Sequence, residues 1–445
     1  MDWLSLINDK RFGLEHYHDP KKGTGRSDFR RDYDRLIFSS PFRRLQNKTQ
    51  VFPLPGSIFV HNRLTHSLEV ACVGKSMADN IASRLRLKYA DTPAADSLSD
   101  IGDIVAAACL AHDLGNPPFG HSGEKAIATF FSEGAGSIYR GLLPPERWLD
   151  LINFEGNANA FRLLTHGFNG RRQGGFAMTY STLASVVKYP YDSSHAGEKG
   201  KFGFFAPERE SFVRVAGELG MLQYPQPDGS VKYARHPLVF IVEAADDICY
   251  EIMDIEDAHK LKILTTDEVK SLLLGYFDSQ RRLRVHDVME KIADPNEQVG
   301  YLRSCAIGEL VERCADAFVD NEEKILSGEF ADPLMRHITP VQRAAYERCN
   351  EVSWSKIYCA SDVVDIELAG NRIITFLLDK LCQAVANPGL NYSGLLLSQV
   401  PGQYDVRAPE LADRIQAVVD HVSAMTDVYA LNLYRKLNGH TLPAV

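Results

Sequence analysis

Residues 111–124 read Ala-His-Asp-Leu-Gly-Asn-Pro-Pro-Phe-Gly-His-Ser-Gly-Glu and gather two histidines and two carboxylates in one short stretch. The neighbouring imidazole and carboxylate of His112 and Asp113 form a mixed nitrogen and oxygen donor set, suited to a borderline or hard divalent metal. A lone His-Asp dipeptide reads more simply as a polar cap on a helix end, so a metal needs partners elsewhere. Two stretches offer them. His66 sits in His61-Asn-Arg-Leu-Thr-His-Ser-Leu-Glu-Val70, between Leu64 and Leu68 and so at the border of a buried face. Taken singly it would be a core histidine bonded to a carbonyl. Asp246 and Asp247 sit in the apolar run Leu238 to Asp254. Asp246, Tyr250 and Asp254 advance by fours and share one helix face. Carboxylates there are unfavourable if buried unpaired, and call for a cation, a metal or hydroxyl donors.

The elements that must present these groups read as helices. The apolar run Ile104 to Leu110 is a buried helix ending at His112. The spacing of Leu64, Leu68, Ala71 and Val73 gives the helix of His66, with Arg63 about one turn earlier on the same side. Its planar fork of donors suits a phosphate, although by itself an exposed ion pair is the simpler role. Helical patterns continue over 125–170, where Asn153, Glu155, Asn157 and Asn159 surround Gly156 as a pocket wall or a helix start. A helix over 176–190 should end near Pro190, placing Lys188 in its last turn, where the helix dipole favours a cation. Residues 191–235, rich in Gly, Pro and Ser, read as the longest irregular segment and include Lys201; such segments often act as lids or binding loops. Before the His66 helix, Gln50 carries an amide that both donates and accepts, next to an apolar Val51. The arginines of 26–44, interleaved with Asp28, Asp32 and Asp34, form a salt-bridged segment or an anion-binding or subunit-contact arm. Residues 260–440 continue as helices, for example Ala360 to Leu381 and Leu411 to Leu437. Alternating runs are scarce and no repeat is evident.

The 445 residues exceed one typical domain. The composition is ordinarily globular, 45% apolar and 24% charged. A net charge of −9 argues against broad non-specific nucleic-acid binding but not against a local basic pocket. The eight cysteines form no CxxC pair, which fits reduced thiols in a cytoplasmic protein. Met-Asp-Trp-Leu-Ser does not open a signal peptide, and no run approaches the roughly 18–20 apolar residues of a membrane span.

The order His66, His112-Asp113, Asp246 resembles the HD-domain metal phosphohydrolases. More specific are Arg-Arg-Leu-Gln-Asn-Lys-Thr-Gln-Val-Phe-Pro (43–53), Asn-Arg-Leu-Thr-His-Ser-Leu-Glu-Val (62–70), the 111–124 stretch, Asn-Phe-Glu-Gly-Asn-Ala (153–158) and Glu-Ala-Ala-Asp-Asp-Ile-Cys-Tyr (243–250). These look like the bacterial deoxyguanosine triphosphate triphosphohydrolases, with a weaker likeness in Glu-Leu-Ala-Gly (367–370) and at 429–435. The resemblance implies an all-α fold: an arm over 1–50, an HD-domain core over 51–260, and additional C-terminal helices over 261–445 packed on it. It implies cleavage of a deoxynucleoside triphosphate, dGTP first among them, into deoxynucleoside and inorganic triphosphate. His66, His112, Asp113 and Asp246 would hold Mg2+ or Mn2+, which lowers the pKa of bound water and polarises the phosphoryl oxygen. Asp246 is preferred over Asp247 because a related mammalian hydrolase has Tyr four and Asp eight residues after its ligand, as Tyr250 and Asp254 stand here. His121 matches the acid that protonates the leaving sugar oxygen, oriented by Glu124. Arg63, Lys188 and Lys201 match triphosphate contacts. Gln50 and Asp254 would hold the 3′-hydroxyl, with Val51 beside them, and Tyr250 would stack under the sugar and refuse a 2′-hydroxyl. A homo-oligomer is expected, with single-stranded DNA or a second nucleotide as a regulator. Two competitors remain: another HD-type phosphohydrolase, and a nucleotide- or DNA-binding regulator retaining the fold. The Asn-Pro-Pro-Phe-Gly-His loop and Gln50 argue against the first, and the intact ligand set argues against the second.

Overall fold

In the segment Ile101–Ala111 every residue but Asp103 is buried, and the segment is a helix. A helix apolar on all sides must be covered on all sides. Here the helices Asp28–Ile37, Arg63–Lys88, Tyr180–Val186 and Pro237–Lys260 surround it. This computed structural model describes residues 1–17, 26–52 and 60–441. The approach to Arg63–Lys88 is close because Gly74 has no side chain: a Cβ there would lie 2.6 Å from Cys109 Sγ.

Arg63–Lys88 begins at a capping box, with Asn62 and Thr65 each bonding the other's backbone N–H. It therefore starts at Arg63, and His66 follows in the first turn. Pro237–Lys260 begins with a proline at its first position and His236 accepting from Leu238 N–H. Most of its length is buried, including Glu243, Glu251, Asp254, Glu256 and Asp257. After Ala111 the chain turns through 112–119 and enters the helix Gly120–Ser132. Phe119 precedes that helix in the left-handed region at φ 62°. The long helix Ser361–Ala386 packs on Gly120–Ser132, and Leu411–Ser423 and Asp427–Leu437 pack on Ser361–Ala386 in turn.

The fold is all-α; among the described residues the only strands form a small antiparallel hairpin pairing Gln223–Pro225 with Val231–Tyr233. That hairpin and the ten-residue helix Arg209–Glu218 lie inside 191–235, which had read as irregular. The helix forms because Phe212, Val215 and Ala216 make a buried stripe at helical spacing, a signal diluted by the surrounding Gly and Pro. The strands turn through Pro227-Asp228-Gly229, with Gly229 at φ +84° and Gln226 N–H bonding Ser230 O. A second difference concerns Lys188. The helix capped by Thr179 ends at Val186, and Val187 is extended, so Lys188 lies beyond the last turn and the helix dipole does not account for it. No helix among the described residues is long and apolar enough to cross a membrane.

Candidate active site

Three helices converge on one cluster. His66 Nε2 lies 3.0 Å from Asp246 Oδ1, and His112 Nε2 lies 3.5 Å from the same oxygen. One donor atom from each of the three falls within 4.8 Å of the others. The geometry of His112 bears on what it can hold. Its Nδ1 is 2.6 Å from Cys109 O, and a carbonyl only accepts, so Nδ1 carries the proton. In the neutral ring Nε2 then presents a lone pair. It is buried and forms no hydrogen bond among the described residues. An imidazole fixed through one nitrogen with the other open is the arrangement of a metal-bound histidine. Two imidazoles and a carboxylate with such an orphan fit a divalent cation.

The charges agree. Burial would depress His112, but the Asp113 and Asp246 carboxylates push it up to about 9. Burial would raise Asp246, yet His112 and His66 hold it well below the usual carboxylate range. The site thus stabilises positive charge, whether from a proton or from a metal. Asp113 stands at the edge of the cluster. Its Oδ1 is 3.6 Å from His112 Nε2 and is also bonded by Asn116 Nδ2, while Oδ2 accepts from Arg63 Nη1 at 2.7 Å. Burial would raise Asp113, and the Arg63 guanidinium holds it low. Asp247 is outside the cluster, and burial pushes it up to about 7.

His121 and Glu124, one turn apart on Gly120–Ser132, meet at 2.9 Å through Nδ1 and Oε2. Glu124 is anchored from behind, its Oε1 accepting from Gly156 N–H at 2.8 Å. A Cβ on Gly156 would run into Glu124 Oε1 and Asn116 Oδ1, so a side chain at this point would displace both. The hydrogen bond and charge of Glu124 raise His121 above the ordinary imidazole range. His121 is mostly exposed, and with Glu124, Phe154, Glu155 and Lys201 it lines a cavity of about 440 Å3. That volume suits a small-molecule ligand.

Each of the three cations expected to meet phosphate is paired with an acid. Arg63 is buried against Asp113, Lys188 lies 3.0 Å from Glu243, and Lys201 donates to Glu155 at 2.6 Å. The Arg63 Nε proton has no partner among the described residues. Of the residues expected to meet the sugar, Gln50 Oε1 is buried and equally without a partner among the described residues, and Val51 packs against the core edge. Asp254 accepts from Tyr358 Oη at 2.8 Å, and burial lifts its carboxyl to about 8. The Tyr250 ring lies 6.2 Å from that of Tyr358.

The structure adds residues that the sequence reading did not single out. Lys48 is buried, and its Nζ bonds the carbonyls of Asn116 and Ser423. Asp427 bonds Thr49 and Phe119. Tyr358 closes over Asp254. None has a local pattern to announce it, since its partners lie far away in the chain.

A deoxyguanosinetriphosphate triphosphohydrolase-like protein of Pseudomonas aeruginosa is 36% identical over 459 aligned residues covering the whole of both chains. This chain belongs to the deoxyguanosinetriphosphate triphosphohydrolase-like family. A like-named protein of Synechocystis is 35% identical over 99% of this chain and 100% of its own. A deoxyguanosinetriphosphate triphosphohydrolase of Yersinia enterocolitica is 29% identical over 92% and 93% respectively. The HD domain matches residues 63–143, and a phosphohydrolase-associated domain matches 337–436. In this triphosphohydrolase-like chain the HD match spans Arg63, His66, His112, Asp113, His121 and Glu124, whereas Asp246 comes from beyond it. The associated match contains Tyr358, which bonds Asp254, and Asp427, which bonds Thr49 and Phe119.

Proposed function

We propose that this protein is a metal-dependent deoxynucleoside triphosphate triphosphohydrolase that converts dGTP and water into deoxyguanosine and inorganic triphosphate. The observation that carries the reading is the buried Nε2 of His112, without a hydrogen-bond partner among the described residues and set among His66, Asp246 and Asp113. His66, His112 and Asp246 would hold Mg2+ or Mn2+, with Asp113 as the fourth donor. Such an ion, when bound, activates water and polarises the α-phosphoryl oxygen.

The chain's own residues account for the other requirements. Arg63, Lys188 and Lys201 bind the triphosphate, exchanging Asp113, Glu243 and Glu155 for phosphate oxygens. Water adds to the α-phosphorus and the bond to O5′ breaks. His121, held by Glu124 and charged more readily than an ordinary imidazole, gives its proton to O5′. Gln50, whose carbonyl has no partner among the described residues, and Asp254 hold the 3′-hydroxyl, with Val51 at their side. With its carboxyl lifted to about 8, Asp254 is protonated at neutral pH and can donate as well as accept. Tyr250 lies under the sugar and leaves no space for a 2′-hydroxyl. The same reading expects a homo-oligomer, which the mass of the particle in solution tests.

Incubation with dGTP and Mn2+ or Mg2+ should yield triphosphate and deoxyguanosine, and Asp113→Ala should abolish both. Orthophosphate or pyrophosphate as the product would overturn the reaction assigned here.

A further inference from the structure

Asp427 is the first residue of the helix Asp427–Leu437 and is 8% exposed. The cap of that helix is Thr426, whose side chain accepts from Tyr429 N–H at 3.1 Å, so the Asp427 carboxylate is not needed for capping. It collects three donors from outside its own helix. Oδ1 accepts from Phe119 N–H at 2.9 Å, and Oδ2 accepts from Thr49 N–H at 2.8 Å and from Thr49 Oγ1 at 2.6 Å. A buried carboxylate with three donors makes strong, directional bonds.

Both donor segments lead straight into the reactive positions. Thr49 is followed by Gln50, and the carbonyl of Lys48 accepts Arg63 N–H at 3.2 Å. Phe119 stands two residues before His121 and is held at φ 62°, a conformation that a bulky side chain keeps only when its surroundings impose it. The N–H to Asp427 is one of those constraints. The other is Gly370 of Ser361–Ala386, where a Cβ would lie 2.8 Å from the Cβ and Cγ of Phe119. Ser122 Oγ, donating to Glu367 O at 3.0 Å, ties the next turn to the same helix. The loop carrying His121 is thus shaped by C-terminal helices.

We propose that Asp427 is a positioning residue that fixes His121 relative to Gln50 and Arg63, and so aligns the proton donor with the leaving oxygen of a sugar held on the other side. This rests on the acid role of His121 in the function proposed above. Asp427 touches no reacting atom in this account.

The test uses the full chain with Asp427→Asn, which keeps the shape but presents an NH2 group to donors that need an acceptor. Hydrogen exchange should quicken at 119–122 and 48–51. Turnover should fall at least about tenfold, with KM within about threefold, because misalignment affects the transition state more than binding. In a His121→Ala background the same change should lower turnover by less than about twofold, because the partner it acts through is already gone. An equal loss in both backgrounds, or unchanged exchange at both segments, overturns the proposal. If Asp427→Asn does not fold, Thr49→Val removes only the Oγ1 bond; faster exchange at 48–51 supports the tie and unchanged exchange overturns it. Exchange needs no substrate, so a wild-type enzyme inactive on every deoxynucleoside triphosphate would refute the function while exchange still decides the tie.

Discussion

Raising the pH from about 6 to about 9.5 should remove roughly 3 kcal/mol of stability through one side chain, His61. This residue stands just before Arg63–Lys88 and is 5% exposed. Its Nδ1 lies 2.9 Å from Asp257 Oδ1 and its Nε2 lies 3.1 Å from Glu69 Oε1, while its backbone N–H donates to Asp257 Oδ2 at 2.7 Å. Carboxylates only accept, so both ring nitrogens can bond at once only in the charged imidazolium. Burial works against that charge, but the bonds to Asp257 and Glu69 prevail and lift the pKa from 6.5 to about 9. At about 1.4 kcal/mol for each tenfold change in proton affinity, this rise amounts to roughly 3 kcal/mol. The folded pKa is the higher one, so the stabilisation is complete below about 6.5 and is lost as the pH climbs through about 9. Glu69 belongs to the helix that carries His66, and Asp257 to the helix that carries Asp246, so the bond braces two walls of the candidate metal site. Urea unfolding of wild type and His61→Gln at the two pH values measures the effect. The gap between them should be near 3 kcal/mol at low pH and should shrink towards zero at high pH. A gap that does not change with pH would show that His61 is not held as an imidazolium by Asp257 and Glu69.

Glu124→Gln removes the charge that raises His121, so the alkaline limb of the turnover–pH profile should move to lower pH; an unmoved limb would separate Glu124 from the acid. Glu155→Gln should release Lys201 for phosphate and lower KM by about threefold to tenfold at low salt, whereas a higher KM would show that Glu155 presents the lysine rather than withholding it. Gly74→Leu must force a side chain into the contact with Cys109 and should lower stability by about 1–3 kcal/mol, read from the urea midpoint.

Much of the site could be read from local patterns. His66 is placed by the helical spacing of Leu64 and Leu68, and His112 by the end of a solvent-avoiding helix. The four-residue stride through an apolar run puts Asp246 on one face with Tyr250 and Asp254, and the family resemblance is what favours it over Asp247. These signals survive because each lies within one element whose burial the sequence dictates. The partners of the three cations were not legible, because Asp113, Glu243 and Glu155 reach them from other elements. Lys48, Asp427 and Tyr358 were invisible for the same reason: each acts across the fold, and nothing near it in sequence marks the meeting. Residues 191–235 misled by composition, since Gly203, Pro207, Gly217 and Gly220 flank the Phe212-Val215-Ala216 stripe. Lys188 misled through Pro190, which restricts Tyr189 but did not set the helix end.

Hydrolysis of dGTP in 18O-labelled water, in the presence of Mn2+, reveals which atom water attacks. Attack on the α-phosphorus with departure of O5′ predicts one labelled oxygen in the inorganic triphosphate and none in deoxyguanosine. Label in the nucleoside, or label in orthophosphate or pyrophosphate in place of triphosphate, would contradict it.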